Sequence, residues 1–129
     1  MSRTARELSA KELRAYRPWA RISAWSADPG LEDRRRRAWS VAREAAELLR
    51  SRYGARRVLA FGSLVTPDRF TPWSDIDLAV EGVAPASFYD AAGAAADFGC
   101  SAGLKIDVVD LDTCPAELGR RVKAEGAEL

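Results

Sequence analysis

Two carboxylates stand one residue apart in Ser74-Asp75-Ile76-Asp77, twelve residues after an apolar stretch that ends in Gly62-Ser63. Side chains alternate along a strand, so Asp75 and Asp77 project from one face while Ile76, Leu78 and Val80 project from the other, into a core. Like charges held that close raise each other's proton affinity and cost stability, so the pair makes physical sense with a divalent cation beside it. Side chains so placed can bridge two metals about 3.5–4 Å apart. Hard oxygen ligands select magnesium, manganese or calcium over zinc or copper.

A third candidate is Asp107 in Lys105-Ile106-Asp107-Val108-Val109-Asp110. If its strand lies beside that of Asp75 and Asp77, it completes a three-carboxylate cluster. Asp110 has the opposite parity and should face elsewhere, and Asp112, past the strand end, reads as a turn or capping residue. Gly62 lets the backbone approach a ligand closely, the amides after it can point at phosphate oxygens, and Ser63 can add its hydroxyl.

The composition narrows the chemistry further. None of the 129 residues is histidine, which removes Ser-His-Asp triads, Cys-His pairs, histidine-ligated zinc and a histidine general base. Charged residues at 30% and hydrophobic ones at 47% describe a folded domain with one core, and the length leaves room for one site. A formal charge of +1 gives no global field for nucleic acid or membrane. Cys100 and Cys114 lack the spacing of a zinc site and read as buried apolar thiols in a reducing cytoplasm. No apolar run is long enough to span a bilayer.

The elements that must position these residues follow from local signals. Ser9-Ala10-Lys11-Glu12 has the spacing of a capping box for a helix over about 9–17. Asp28-Pro29 opens a longer helix in which Leu31, Trp39, Ala42, Ala46 and Leu49 recur at helical spacing up to Gly54. Residues 57–61 and 76–80 read as strands, Pro85 to Phe98 as a helix closed by Gly99, Leu104 to Leu111 as a third strand, and Cys114-Pro115 as the start of a last helix. The expectation is a small α/β (α+β) domain, a short mixed sheet backed by helices: N-terminal helices over 1–53, a catalytic sheet over 56–112 and a C-terminal helix over 115–129.

Gly62-Ser63 followed by Ser74-Asp75-Ile76-Asp77-Leu78-Ala79-Val80 resembles the signature of the DNA polymerase β-like nucleotidyltransferase superfamily, and the short chain resembles its minimal nucleotidyltransferases. Glu125-Gly126-Ala127-Glu128-Leu129 is a weaker echo of how such proteins end. The resemblance implies that Gly62, Ser63 and Ser74 contact ATP, that Asp75 and Asp77 hold two Mg²⁺ with Asp107 sharing the catalytic one, and that Asp107 helps to deprotonate an acceptor hydroxyl. It also implies a partner: minimal nucleotidyltransferases are commonly the antitoxins of type VII pairs, neutralising a HEPN-domain ribonuclease by complex formation and by adding AMP to a tyrosine. The chain departs from the pattern where many relatives carry Arg after Gly-Ser. It has Leu64, Thr66-Pro67-Asp68, Phe70 and Trp73 there, so a phosphate-gripping cation has to come from Arg69, Lys105 or elsewhere. The alternatives are an idle module that inhibits by occlusion and a transferase for a small molecule such as an aminoglycoside.

Arg34 to Arg37 splay around a helix and do not form a stripe, so with Glu32 and Asp33 beside them they read as a solvated surface and not as a nucleic-acid site. Trp19, Trp25, Trp39 and Trp73 are candidate interface anchors, and Trp73 a candidate base-stacking ring.

Overall fold

The computed structural model describes residues 29–129. The expected helix over 9–17, the Asp28 cap, Trp19 and Trp25 lie outside them.

Helix α1 (Pro29–Tyr53) begins at the expected proline, and Leu31, Ala42, Ala46 and Leu49 form its buried face with Trp39 at the margin. It stops at Gly54, whose φ of 73° turns the chain so that the amides of Gly54 and Ala55 bond back to the carbonyls of Arg50 and Leu49. Strand β1 (Arg57–Phe61), strand β2 (Ile76–Glu81), helix α2 (Phe88–Ser101), strand β3 (Ile106–Asp110), helix α3 (Ala116–Glu125) and the short strand β4 (Ala127–Glu128) follow.

The four strands make one mixed sheet in the order β3-β2-β1-β4. β1 runs antiparallel to both β2 and β4, whereas β2 and β3 are parallel and are joined through α2. One face carries Val58, Ala60, Ile76, Leu78, Val80 and Ile106 into the main core, against α1 and the Ala91 and Ala95 face of α2. On the other face Leu59 and Ala79 meet Val122 of α3 in a smaller cluster.

Three expectations are corrected. α2 does not close at Gly99 but runs on to Ser101. Gly99 is there for close packing, since a Cβ would lie 2.6 Å from both Ile106 Cγ1 and the Leu104 carbonyl oxygen, and Gly103 at φ 78° makes the turn instead. Cys100 is exposed and Cys114 half-buried, so neither is a core thiol. Ala91, Ala95 and Gly99 mark the buried stripe of α2, and Cys100 is rotated about 100° away from it. Finally, the chain after Glu125 is a strand and not helix: Leu59 pairs with Glu128 and Ala60 with Ala127. Gly126 makes the bend, where a Cβ would stand 2.5 Å from the Val122 carbonyl oxygen.

Candidate active site

Parallel pairing of β2 with β3 sets Ile76 opposite Ile106, Asp77 opposite Asp107 and Val80 opposite Asp110. Opposed residues share a face, so the two isoleucines enter the core together and the two aspartates emerge together on the other side. Asp75 lies two residues before Asp77 on the same side, and the Ile76 amide, donating to the Lys105 carbonyl at 2.8 Å, carries the pairing to that level. Asp75, Asp77 and Asp107 therefore meet on one face, as the parity of the sequence predicts. Asp110 points the other way and is only 8% exposed; its Oδ1 accepts the Asp112 amide at 2.9 Å. Asp112 accepts the Gly82 amide at 2.9 Å, which makes it a turn residue.

Gly62 opens the connection between β1 and β2 in the left-handed region, at φ 75°. Its missing side chain has a specific use: a Cβ would lie 2.6 Å from Oδ2 of Asp77. The turn and the carboxylate thus occupy the same space. Residues 62–65 form a 3₁₀ turn that includes Ser63, closed by the Thr66 amide donating to the Ser63 carbonyl at 3.2 Å.

The rest of the loop is fastened to the core. Leu64 and Phe70 are buried, and Arg35 of α1 donates to the Leu64 carbonyl at 2.9 Å. Two of the residues that depart from the family pattern, Leu64 and Phe70, are therefore the loop's anchors. Just before β2, the Ser74 hydroxyl accepts the Thr71 amide at 2.8 Å and lies 3.3 Å from the Thr71 hydroxyl, which holds the turn that presents Asp75.

Charge at the site is unbalanced. Asp77 has its proton affinity raised above the ordinary carboxylate value by burial first, then by Asp107 and Asp75, with Lys105 working in the opposite direction. Lys105 places Nζ 3.9 Å from Oδ2 of Asp75 and 3.9 Å from Oδ2 of Asp107, carboxylates that are 40% and 50% exposed. At that distance and exposure each contact is worth little. Among the described residues no three carboxylate or thiol groups are close enough to form an ion cage by themselves. Mg²⁺ is ordinarily held by one or two carboxylates together with waters and substrate phosphates, a donor set that paired aspartates can supply.

Gly62→Ala is expected to destabilise the fold by about 1–2 kcal/mol from the left-handed backbone and further from the contact with Asp77. Gly54→Ala, at φ 73° with nothing within 4 Å of its Cβ, carries only the backbone cost. Thermal melts of the two variants should rank them in that order, and equal melting temperatures would remove the steric role of Gly62.

One basic residue at the site was missed in the sequence. Arg121 of α3 lines a cavity of about 120 Å³ together with Gly62, Thr66 and Arg69. Its position on a helix so far along the chain carries no local signal; only the packing of α3 on the sheet brings it near Gly62. The arginine run is more structural than expected. Arg36 pairs with Asp33 at 2.7 Å, but Arg35 and Arg37 reach across to the carbonyls of Leu64 and Ala102. Trp73 lies half-buried in the loop, its amide donating to the Thr71 hydroxyl at 3.2 Å.

No curated protein matches the chain in sequence. Several solved structures share its fold. A chain of the toxin–antitoxin MntA–HepT crystal structure has a TM-score of 0.51 at 20% identity, covering 70% of this chain and 69% of that one. A chain of a toxin–antitoxin crystal structure with AMP-PNP has a TM-score of 0.56 at 22% identity, covering 67% and 70%. At the level of sequence, the model of the nucleotidyltransferase domain matches residues 42–124, which takes in β1, the Gly62 turn, all three aspartates and all but the last residue of α3. With well over half of its length so matched, and with its paired carboxylates set against a glycine turn, the chain belongs to the nucleotidyltransferase domain family.

Proposed function

We propose that the protein is a magnesium-dependent adenylyltransferase that moves AMP from ATP to a hydroxyl, that of a tyrosine, on a HEPN-domain toxin, and so acts as the antitoxin of a toxin–antitoxin pair. The observation that carries this reading is the register of β2 against β3, which sets Asp107 across from Asp77 while Gly62 lies against the Asp77 carboxylate.

Asp75 and Asp77 are the residues that would hold Mg²⁺, and Asp107 would share it. The ion, when bound, neutralises phosphate charge and makes the acceptor hydroxyl more acidic. Asp107, the more exposed partner on the edge strand, would take the proton from the incoming hydroxyl as its oxygen bonds to the α-phosphorus and pyrophosphate departs. Gly62 and Ser63 present backbone amides to the phosphates, and Ser74 keeps Asp75 in place. Solved structures of the same fold are toxin–antitoxin complexes, one of them with AMP-PNP, which supports a toxin partner and an adenine nucleotide. Among the described residues no helix is long and apolar enough to cross a membrane, in keeping with a cytoplasmic site of action.

The rival reading is a binding module that inhibits without chemistry. Lys105, lodged between two of the three carboxylates, is the observation in its favour. Incubation with ATP labelled at the α-phosphate, Mg²⁺ and a HEPN-domain partner separates the two. Label on a partner tyrosine, lost in Asp107→Asn, is the expected result; a stable complex that never acquires label overturns transfer in favour of the module.

A further inference from the structure

The cavity beside Gly62 is not part of the carboxylate cluster. It lies between the Gly62 turn and α3, and two arginines line it, Arg69 from the loop and Arg121 from the helix. Its volume of about 120 Å³ far exceeds the roughly 10–15 Å³ that one water needs. Both arginines are exposed, and neither has an ion pair or side-chain hydrogen bond with any described residue. Glu125 is the one carboxylate on the lining. Two like charges facing one cavity repel unless an anion lies between them, and arginine's planar fork is suited to phosphate oxygens.

Gly62 belongs to both halves of this arrangement. It lines the arginine cavity, and a Cβ on it would lie 2.6 Å from Oδ2 of Asp77. An elongated ligand lying across Gly62 would thus have a cation-binding, acidic surface under one end and two arginines at the other. That polarity matches a nucleoside triphosphate, with its reacting phosphate at the aspartates and its terminal phosphates among the arginines.

We propose that Arg69 and Arg121 form a two-sided clamp for the terminal phosphates of the nucleotide, replacing from two separate elements the single arginine that many relatives carry after Gly-Ser; this rests on the nucleotidyl-transfer reading above. The clamp makes α3 part of the substrate site and discriminates triphosphate from monophosphate.

Calorimetry on the full chain with inorganic tripolyphosphate and with AMP tests this without requiring turnover. The wild type should bind tripolyphosphate in magnesium-free buffer, Arg121→Ala and Arg69→Ala should each weaken it by about tenfold or more, Arg121→Lys should recover part of the loss, and AMP binding should change little. Because both side chains are exposed and unpaired, melting temperatures should stay at the wild-type value, which separates lost binding from lost fold. Tripolyphosphate binding that is unchanged in the double variant, or absent from the wild type, overturns the clamp. Arginine-dependent tripolyphosphate binding in a chain that never transfers AMP leaves the clamp standing and overturns the transfer reading instead.

Discussion

Asp77→Asn is expected to abolish AMP transfer, by about 10²–10³-fold or more, and at the same time to raise the melting temperature of the magnesium-free protein by a few degrees. The two effects have one origin. Asp77 is partly buried among Asp107 and Asp75, and its proton affinity is raised because its charged form is disfavoured there. A carboxyl group with a raised folded-state pKa lowers stability above that pKa, and the penalty is relieved as pH falls through it. The asparagine carries no such penalty. Its advantage in EDTA should therefore be full near pH 7 and should vanish as the solution is acidified below about pH 4, where the carboxyl is protonated in the unfolded chain as well. Thermal melts across this range, paired with the transfer assay, check both halves. A variant that loses stability at pH 7 would show that Asp77 is a structural residue whose charge is satisfied.

Phe70→Ala is expected to cost about 3–5 kcal/mol, the usual range for removing a fully buried aromatic ring. Phe70 is 1% exposed although it sits in the loop between β1 and β2, where it packs into the main core that α1 shares with the sheet. With Leu64 and the Arg35 contact it fixes the segment that begins at Gly62 and ends at Asp75. Removing the ring leaves a cavity against α1 and loosens both ends of the loop, so nucleotide affinity should fall together with the denaturation midpoint. Phe70→Leu, which keeps most of the volume, should cost less than half as much in chemical denaturation. Similar losses for the two variants would mean that the ring's shape, more than its bulk, holds the loop.

Much of this site is legible in the residues themselves because strand periodicity is strict. Asp75, Asp77 and Asp107 need only the alternation of β2 and β3 to be assigned to one face, and Asp110 is excluded by the same rule. The glycine turn is equally legible, since a strand that ends in glycine before a second strand has few other uses. What is not legible depends on packing between distant segments. Leu64 and Phe70 look like departures from a phosphate-binding loop until α1 is seen beneath them. Gly99 resembles a helix stop because nothing local reveals how closely Ile106 approaches it. The two-residue strand β4 has no periodicity to read, and Cys100 differs from a core position by a single step around α2. Arg121 belongs with these: its role is set by where α3 docks and not by its neighbours in the chain.

The parallel pairing of β2 and β3 has a consequence for assembly. Strands that run in the same direction cannot be closed by a hairpin, so Asp107 reaches Asp77 only after α2 has folded back across the sheet. A nascent chain that has emerged only as far as α2 carries Asp75 and Asp77 but no third carboxylate beside them. The three aspartates therefore come together only once β3 has paired with β2, and any ligand that recognises them together acts as a latch on the finished topology, holding it against reopening by mass action.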